Sequence, residues 1–398
     1  MKIGYILRYF PKISESFVLN EINELGRLGH DLYIFALSPA PEDRIPSVPG
    51  KGTAYREVHY LPPLSVMQKA VSGFKAYSRS GLFRTEYKAE SALLPFALGY
   101  FSNLVRRKNI QLLHAHFNGF PTQLAMLISE KTEIPFTFMP HAFDIFKDLD
   151  KKLLEKRIEA SSFIFAHSKF MKDYIYSLLP GYEEKIRLVR ACPDLRRIDE
   201  TISRRGFEKE KSGPHIITVA RLVEKKGIRN ALSALSKIKN EYPALRYTII
   251  GKGPCGHELR RKTVESGLKD AVEFIPWLEN SEVLERVIRA DIFCLPSVRT
   301  ESGDMDGIPV ALMEAMALGT CVISTRLSAI PELIESGREG LLVASGNIEE
   351  LAGAFRTLLG DIGLRDTLVE NAMKKVRRDF DISEQIEKML VCWRKIAG

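Results

Sequence analysis

The densest run of reactive side chains lies late in the chain, at Glu301-Ser302-Gly303-Asp304-Met305-Asp306-Gly307-Ile308-Pro309, leading into VALMEAMALG. Pro309 suits the first turn of a helix that stops before Gly319, because no backbone donor is needed there. Such a helix aims its free N–H groups and the positive end of its dipole at the preceding loop, which makes an anion site. A diphosphate fits over that N-terminus. Asp306 sits just ahead of it and Glu314 more than a turn inside, so that one carboxylate would lie at the sugar end and the other accept hydroxyls of the ribose. A capping acid and a solvated helix glutamate account for the same two residues with no ligand at all. Asp304-Met305-Asp306 also spells D-x-D, a carboxylate pair able to hold a divalent cation against a diphosphate. The helix dipole and nearby cations can supply that charge instead.

Those cations stand in Val219-Ala220-Arg221-Leu222-Val223-Glu224-Lys225-Lys226-Gly227, between an expected strand and an expected helix. At the carboxyl edge of a sheet, Arg221 and Lys226 can neutralise a leaving diphosphate; loop cations are also commonly mere solvated charge. Ile249-Ile250-Gly251-Lys252-Gly253-Pro254 ends a strand in G-x-G-P. Gly251 and Gly253 permit close approach of a nucleotide, but the third glycine of a dinucleotide fingerprint is missing, so NAD is weakly supported. Histidines gather in His114-Ala115-His116-Phe117 and Pro140-His141-Ala142-Phe143-Asp144. At strand ends such imidazoles bond a sugar hydroxyl or an acceptor. His114 reads as packed core, whereas His141 and, on the acceptor side, His116 are functional candidates. No cysteine joins them, and a zinc site needs three or four convergent ligands.

The elements that must position these groups follow one grammar, a short apolar strand and then a helical pattern, repeated in two halves. That predicts α/β architecture with parallel sheets. Strands are expected at Ile3–Leu7, Asp31–Leu37, Ile110–His114, Phe136–Met139, Phe163–Ala166 and Ile186–Val189. The second half restarts with His215–Val219, Arg246–Ile250, Val272–Phe274, Ile292–Cys294 and Cys321–Ser324. A helix over Phe17–Leu28 puts Val18, Ile22, Leu25 and Leu28 on one face, and two more are expected between Leu64 and Arg107. Residues 1–195 then form one Rossmann-like domain, 196–212 a polar linker, 213–381 a second Rossmann-like domain and 382–398 a terminal helix packing back on the first. Sheets facing across a cleft would hold a ligand at their carboxyl edges.

At 398 residues two domains are the natural expectation. Without an apolar run of about 18 residues no span is expected. MKIGYILRYF is short for a signal peptide and reads as a first strand. Cys192, Cys255, Cys294, Cys321 and Cys392 show no CxxC spacing and fit reduced thiols in a cytoplasmic protein. The net charge of +8 is uneven: residues 1–195 carry +6, 196–212 carry +2, and 213–398 balance. A basic first half suggests an anionic membrane or a phosphate-rich acceptor. Lys69, Lys75, Arg79, Arg84, Lys88, Arg106, Arg107 and Lys108 mix with apolar residues as in a surface-lying helix, which would place the protein peripherally on the inner face of the membrane; helices packed on the sheet with their charges in water account for the same residues. Nucleic acid is disfavoured, since no recognition motif appears.

In RYFPKISESFVLNEI, HAHF, PHAFDIF, ARLVEKKGI, IIGKGP, LPSV and GIPVALMEAMALG the chain resembles family-four retaining glycosyltransferases over nearly its whole length, in particular the colanic-acid and amylovoran type of exopolysaccharide enzymes. The resemblance implies a GT-B fold, transfer of a hexose from a nucleotide sugar (UDP favoured) to a saccharide acceptor, lipid-linked in this setting, and no metal or other cofactor. It implies that Arg221 and Lys226 hold the donor diphosphate, that Glu314 takes the ribose, and that Asp306 and His141 serve the transferred sugar. Ile308 and Val310 belong to the same donor motif, and Ser14 and Ser16 stand where related enzymes have a diphosphate-binding glycine loop. Asp306 is one methylene shorter than the family's usual glutamate, and Pro309 withholds a backbone donor. A nucleotide-sugar epimerase of the same shape and a sugar-binding module without catalysis remain as alternatives.

Overall fold

The computed structural model describes residues 1–12, 15–40, 54–63, 88–147, 149–206 and 213–397. The chain divides into two compact units. The first comprises Met1–His167, Met171–Arg190 and Ser383–Gly398, and the second Ser168–Phe170 and Ala191–Ile382.

In the first unit the strands are β1 (Lys2–Tyr9), β2 (Asp31–Ser38), β3 (Glu57–Tyr60), β4 (Leu112–His116), β5 (Phe136–Met139), β6 (Phe163–Ala166) and β7 (Ile186–Leu188). They form one parallel sheet in the order β3-β2-β1-β4-β5-β6-β7. Helices cover both faces of such sheets, so the central strands are buried on both sides; every residue of β4 and β5 is buried. The helix Ser16–Arg27 buries Val18, Ile22 and Leu25, three apolar positions on one face. Each such side chain contributes about 1.5–3 kcal/mol by leaving water. Register sets Tyr5 of β1 opposite His114 of β4, and His114 opposite Thr137 of β5, so three polar side chains form a row through this core.

β4 begins two residues later than the spacing predicted. The helix Lys88–Arg107 ends through Asn109 at a positive φ of 53°, and the Ile110 N–H still bonds back to Val105. The sheet therefore admits the chain only at Leu112, and both His114 and His116 lie within the strand rather than past its end. The rest of the 64–107 stretch, with Lys69, Lys75, Arg79 and Arg84, lies outside the described residues.

The second unit holds β8 (His215–Val219), β9 (Arg246–Ile250), β10 (Val272–Ile275), β11 (Ile292–Cys294), β12 (Cys321–Thr325) and β13 (Leu341–Val343), all parallel in the order β10-β9-β8-β11-β12-β13. The stretch 196–212, expected as a linker, instead carries a helix over Leu195–Arg205 in this unit. Asp194 caps it by accepting from Arg197 N–H. Its apolar stripe is narrow (Leu195, Ile198, Ile202), which is why its composition reads as polar while Ile198 is buried in the core.

The terminal helix Ile382–Arg394 groups with the first unit from Ser383 onward. Trp393 Nε1 donates to Thr137 Oγ1 at 3.0 Å, and Ser383 Oγ to Glu24 Oε1 at 2.8 Å. Among the described residues no helix is long and apolar enough to cross a membrane.

Candidate functional site

In the second unit the strand order reverses between β8 and β11, where open parallel sheets leave a crevice beyond their carboxyl ends. Two loops leave that point. The β8 loop carries Arg221, Lys225 and Lys226; the β11 loop runs from Ser297 through Asp306 into the helix Val310–Ala317. The loops are joined by charge. Lys226 Nζ donates to Asp306 Oδ2 at 2.8 Å, and Ser297 Oγ donates to the same oxygen at 3.0 Å. Lys225 Nζ bonds Asp304 Oδ1 at 2.9 Å and stands 3.7 Å from Asp306 Oδ1. Burial by itself would raise the Asp306 carboxyl, but Lys226, Lys225 and the Ser297 hydroxyl outweigh it and hold the group below the usual carboxylate range. The D-x-D pair thus already faces two ammonium groups, which is a different use of its charge from gripping a divalent cation.

Pro309 is the N-cap of the helix rather than part of its first turn. A proline there leaves the N–H groups of Val310 and Ala311 at the open end, while Leu312 N bonds back to Pro309 O. Ile308 is buried in the core beside this turn and Val310 is partly exposed. Glu314 follows one turn on, and its side chain makes no hydrogen bond among the described residues. Part of the residue reaches solvent, yet its carboxyl is buried. That burial lifts it to about 7, with Arg197 pulling it down and Asp194 pushing it up.

Gly251 and Gly253 lie hard against the chain's own backbone. A Cβ on Gly251, whose φ is +147°, would lie 1.9 Å from Ala220 O, and one on Gly253 2.3 Å from Leu222 O. The body that comes close is the chain's own 220–222 segment, held by Ala220 N–H to Ile250 O and Leu222 N–H to Lys252 O. The two glycines therefore fix the loop that presents Arg221, whose own side chain is exposed.

In the first unit the strand order reverses between β1 and β4, and the histidines stand beside that point. His116 Nδ1 lies 3.1 Å from His141 Nε2, and His116 Nε2 lies 3.2 Å from Glu21 Oε1. Tyr5 OH donates to that same Glu21 oxygen at 2.5 Å. His141 caps the short helix Ala142–Phe146, where its backbone N–H donates to Asp144 Oδ2 at 2.9 Å. Phe17 and Phe117 pack on its ring at centroid distances of 4.6 and 4.5 Å. Burial, reinforced by His116, His167 and His114, holds His141 well below the ordinary histidine range, so it works as a neutral hydrogen-bonding group. His114 is driven down to about 3 and His167 to about 4, both chiefly by burial.

His116 is fully buried, and its two ring nitrogens face Glu21 and His141 within the unit. His114 is core, with Nδ1 2.9 Å from Thr137 Oγ1. Ser16 opens the first helix behind Glu15, and Ser14 lies outside the described residues. Reading the sequence missed Glu21, Tyr5, Lys225 and Ser297. For Glu21 there was a signal, an acid set within the Val18, Ile22 and Leu25 stripe of an amphipathic helix. For Lys225 there was none, because the run Glu224-Lys225-Lys226 does not say which lysine turns inward.

Residues 14–197 match the family model described as Glycosyltransferase Family 4, and residues 199–375 match Glycosyl transferases group 1. The chain is 31% identical over 411 residues to WcaL of Escherichia coli (strain K12), named for colanic acid biosynthesis, covering 96% of each protein. It is 30% identical over 409 residues to the amylovoran biosynthesis glycosyltransferase AmsK of Erwinia amylovora, again covering 96% of each. Among solved structures, Anabaena HepE in complex with UDP-glucose superposes with a TM-score of 0.74 at 18% identity, over 98% of this chain and 99% of that one. A sucrose-phosphate synthase from Thermosynechococcus elongatus gives 0.75 at 18% identity, over 99% and 98%. Both likenesses show the fold, GT-B, with two Rossmann-like domains.

Proposed function

Because the chain belongs to glycosyltransferase family 4, a family of retaining enzymes that work without a metal, we propose that it transfers a hexose from a UDP-sugar to a lipid-linked saccharide during assembly of an exopolysaccharide or cell-surface glycan. One observation carries the donor half of this reading. Lys226, Asp306 and Ser297 converge at the switch point of the second sheet, beside the open N-terminus of Val310–Ala317, and Glu314 follows one turn along that helix, without a hydrogen bond to its side chain among the described residues. In this reading the diphosphate lies over the Val310 and Ala311 N–H groups and meets Arg221 and Lys226. Glu314 accepts from the ribose, and Asp306 accepts from a hydroxyl of the transferred sugar. Lys226 divides its charge between Asp306 and the departing phosphate. As the bond from the anomeric carbon to phosphate oxygen breaks, the acceptor oxygen bonds to that carbon on the same face. Its proton passes to the leaving phosphate. UDP is favoured over GDP by the nucleotide in the HepE complexes.

Calorimetric titration with UDP and GDP, and transfer of labelled hexose from UDP-sugars to membrane extracts with EDTA present throughout, test this directly. UDP is expected to bind, and Lys226→Ala to weaken it by about 1.5–3 kcal/mol, the loss of one charge-assisted bond. An unchanged affinity in Lys226→Ala, or binding of neither nucleotide by the parent protein, would remove this site.

A further inference from the structure

The first unit contains a chain of buried polar groups that the donor chemistry does not use. Phe17 and Glu21 lie one turn apart on the helix Ser16–Arg27, so the face that lays Phe17 on the His141 ring also sets Glu21 under His116. From there contacts run without a break: Tyr5 OH to Glu21 Oε1, Glu21 Oε1 to His116 Nε2 at 3.2 Å, and His116 Nδ1 to His141 Nε2 at 3.1 Å. Glu21, His116 and Tyr5 are all buried, so water does not interrupt the row.

We propose that Glu21 is a positioning residue for His141: acting through His116, it decides which nitrogen of the His141 ring carries the proton. The reasoning uses only donor and acceptor capacity. An ionised carboxylate accepts and never donates, so the nitrogen facing it, His116 Nε2, must bear a hydrogen. A neutral imidazole has a single N–H, which makes His116 Nδ1 a lone pair. The only bond available across 3.1 Å then comes from His141 Nε2–H, and His141 Nδ1 is left as an acceptor. If His116 took a second proton, the direction would reverse and His141 Nδ1 would become the donor. In either state Glu21 fixes which nitrogen of His116 holds the proton, and the Asp144 backbone N–H that faces the His141 side chain in the capping box favours the first. A glutamine there offers both an amide N–H and an oxygen, so His116 can take either tautomer and the direction of the His116–His141 bond is no longer set from that side. This rests on the reading above that His141 meets a hydroxyl of the sugar or acceptor.

Glu21 Oε1, His114 Nε2 and His116 Nε2 also lie within 4.8 Å of one another, and His114 Nε2 is buried without a hydrogen bond. The carboxylate oxygen there is already taken by Tyr5 and His116, so a metal would have to strip two hydrogen bonds from it.

The test is nitrogen NMR of protein labelled with ¹⁵N-histidine, with the resonances assigned by single His→Gln variants. The parent should show His141 with one protonated nitrogen and one bare one. Glu21→Gln should move both toward averaged positions and lower kcat roughly tenfold, with UDP affinity unchanged. A Glu21→Gln/His141→Ala double variant should be no slower than His141→Ala alone. Should the glutamine variant fail to fold, Glu21→Asp keeps the charge but withdraws it by one methylene, and is expected to shift the same resonances. His141 shifts unaltered by either variant would overturn the proposal, as would one equivalent of metal retained through chelation. His141→Ala with full activity would instead defeat the assignment of His141 to the sugar site, whatever the NMR shows.

Discussion

Glu314 is the side chain whose chemistry departs most usefully from its type. Burial lifts its carboxyl from the ordinary 4.5 to about 7. The folded protein therefore keeps a proton that the unfolded chain has already released, and stability is lost as pH rises from about 4.5 through 7. Glu314→Gln cannot ionise and escapes that loss. Urea denaturation should find it equal to the parent near pH 4 and more stable at pH 8, by up to about 2 kcal/mol once partial solvent exposure is allowed for. UDP affinity should fall in the same variant, because the amide is a poorer partner for ribose hydroxyls. Equal stability at both pH values would mean that the carboxyl is solvated. At this scale the sequence was legible wherever the residue type constrains the chemistry. Asp306, Lys226 and Glu314 stood out by charge and spacing beside a helix start, and His141 by its place between a proline and an acid. Glu21 and Tyr5 were hidden because their importance comes from contacts between the Ser16–Arg27 helix and β1 and β4, elements far apart in sequence.

The segments that hold these residues depend on backbone approach, and Gly251 is the sharpest case. Its φ of +147° and the Ala220 oxygen 1.9 Å from a would-be Cβ leave an alanine no place without moving the loop that carries Arg221. Gly251→Ala should cost at least about 2 kcal/mol, from the disallowed conformation and the clash together, and should weaken UDP binding because Arg221 moves. Gly353, inside the helix Ile348–Gly360 with open space around it, is the internal control. Gly353→Ala should be neutral or stabilise by about 0.5–1 kcal/mol. Thermal melts of the two variants check both, and similar melting points would refute the close-approach account of Gly251. Elements were legible where a short apolar run had one possible role. His215–Val219, Arg246–Ile250, Phe136–Met139 and Phe163–Ala166 are central strands, buried on both faces, and their composition says so. The strand Glu57–Tyr60 escaped notice because an edge strand is only half buried and can be polar. The Leu195–Arg205 helix escaped because three apolar residues among six charges look like a linker until something packs on them.

For the molecule as a whole the unassigned feature is its charge, since the +8 total falls wholly before residue 213. Eight basic residues between Lys69 and Lys108 suggested an anionic membrane as the place where a lipid-linked acceptor is met. Within the described residues three of them have known settings, and they are not equivalent. Lys108 Nζ is held by both oxygens of Glu57 at 2.6 and 2.8 Å, and Arg106 donates to the Lys131 carbonyl at 2.7 Å. Arg107, exposed at the end of the Lys88–Arg107 helix, has no such partner. A basic group near an anionic bilayer contributes about 1 kcal/mol only if its charge is available to the lipid. Lys108, already neutralised by Glu57, therefore adds little. Sedimentation with vesicles of rising anionic-lipid content should show binding that grows with lipid charge and fades as salt screens it. Arg107→Gln should weaken it about fivefold, roughly 1 kcal/mol, whereas Lys108→Gln should weaken it only slightly, through the repulsion of the uncovered Glu57. Equal losses in the two variants would mean that net charge alone drives attachment. No sedimentation at any lipid composition in low salt would mean that the acceptor is met away from a charged bilayer.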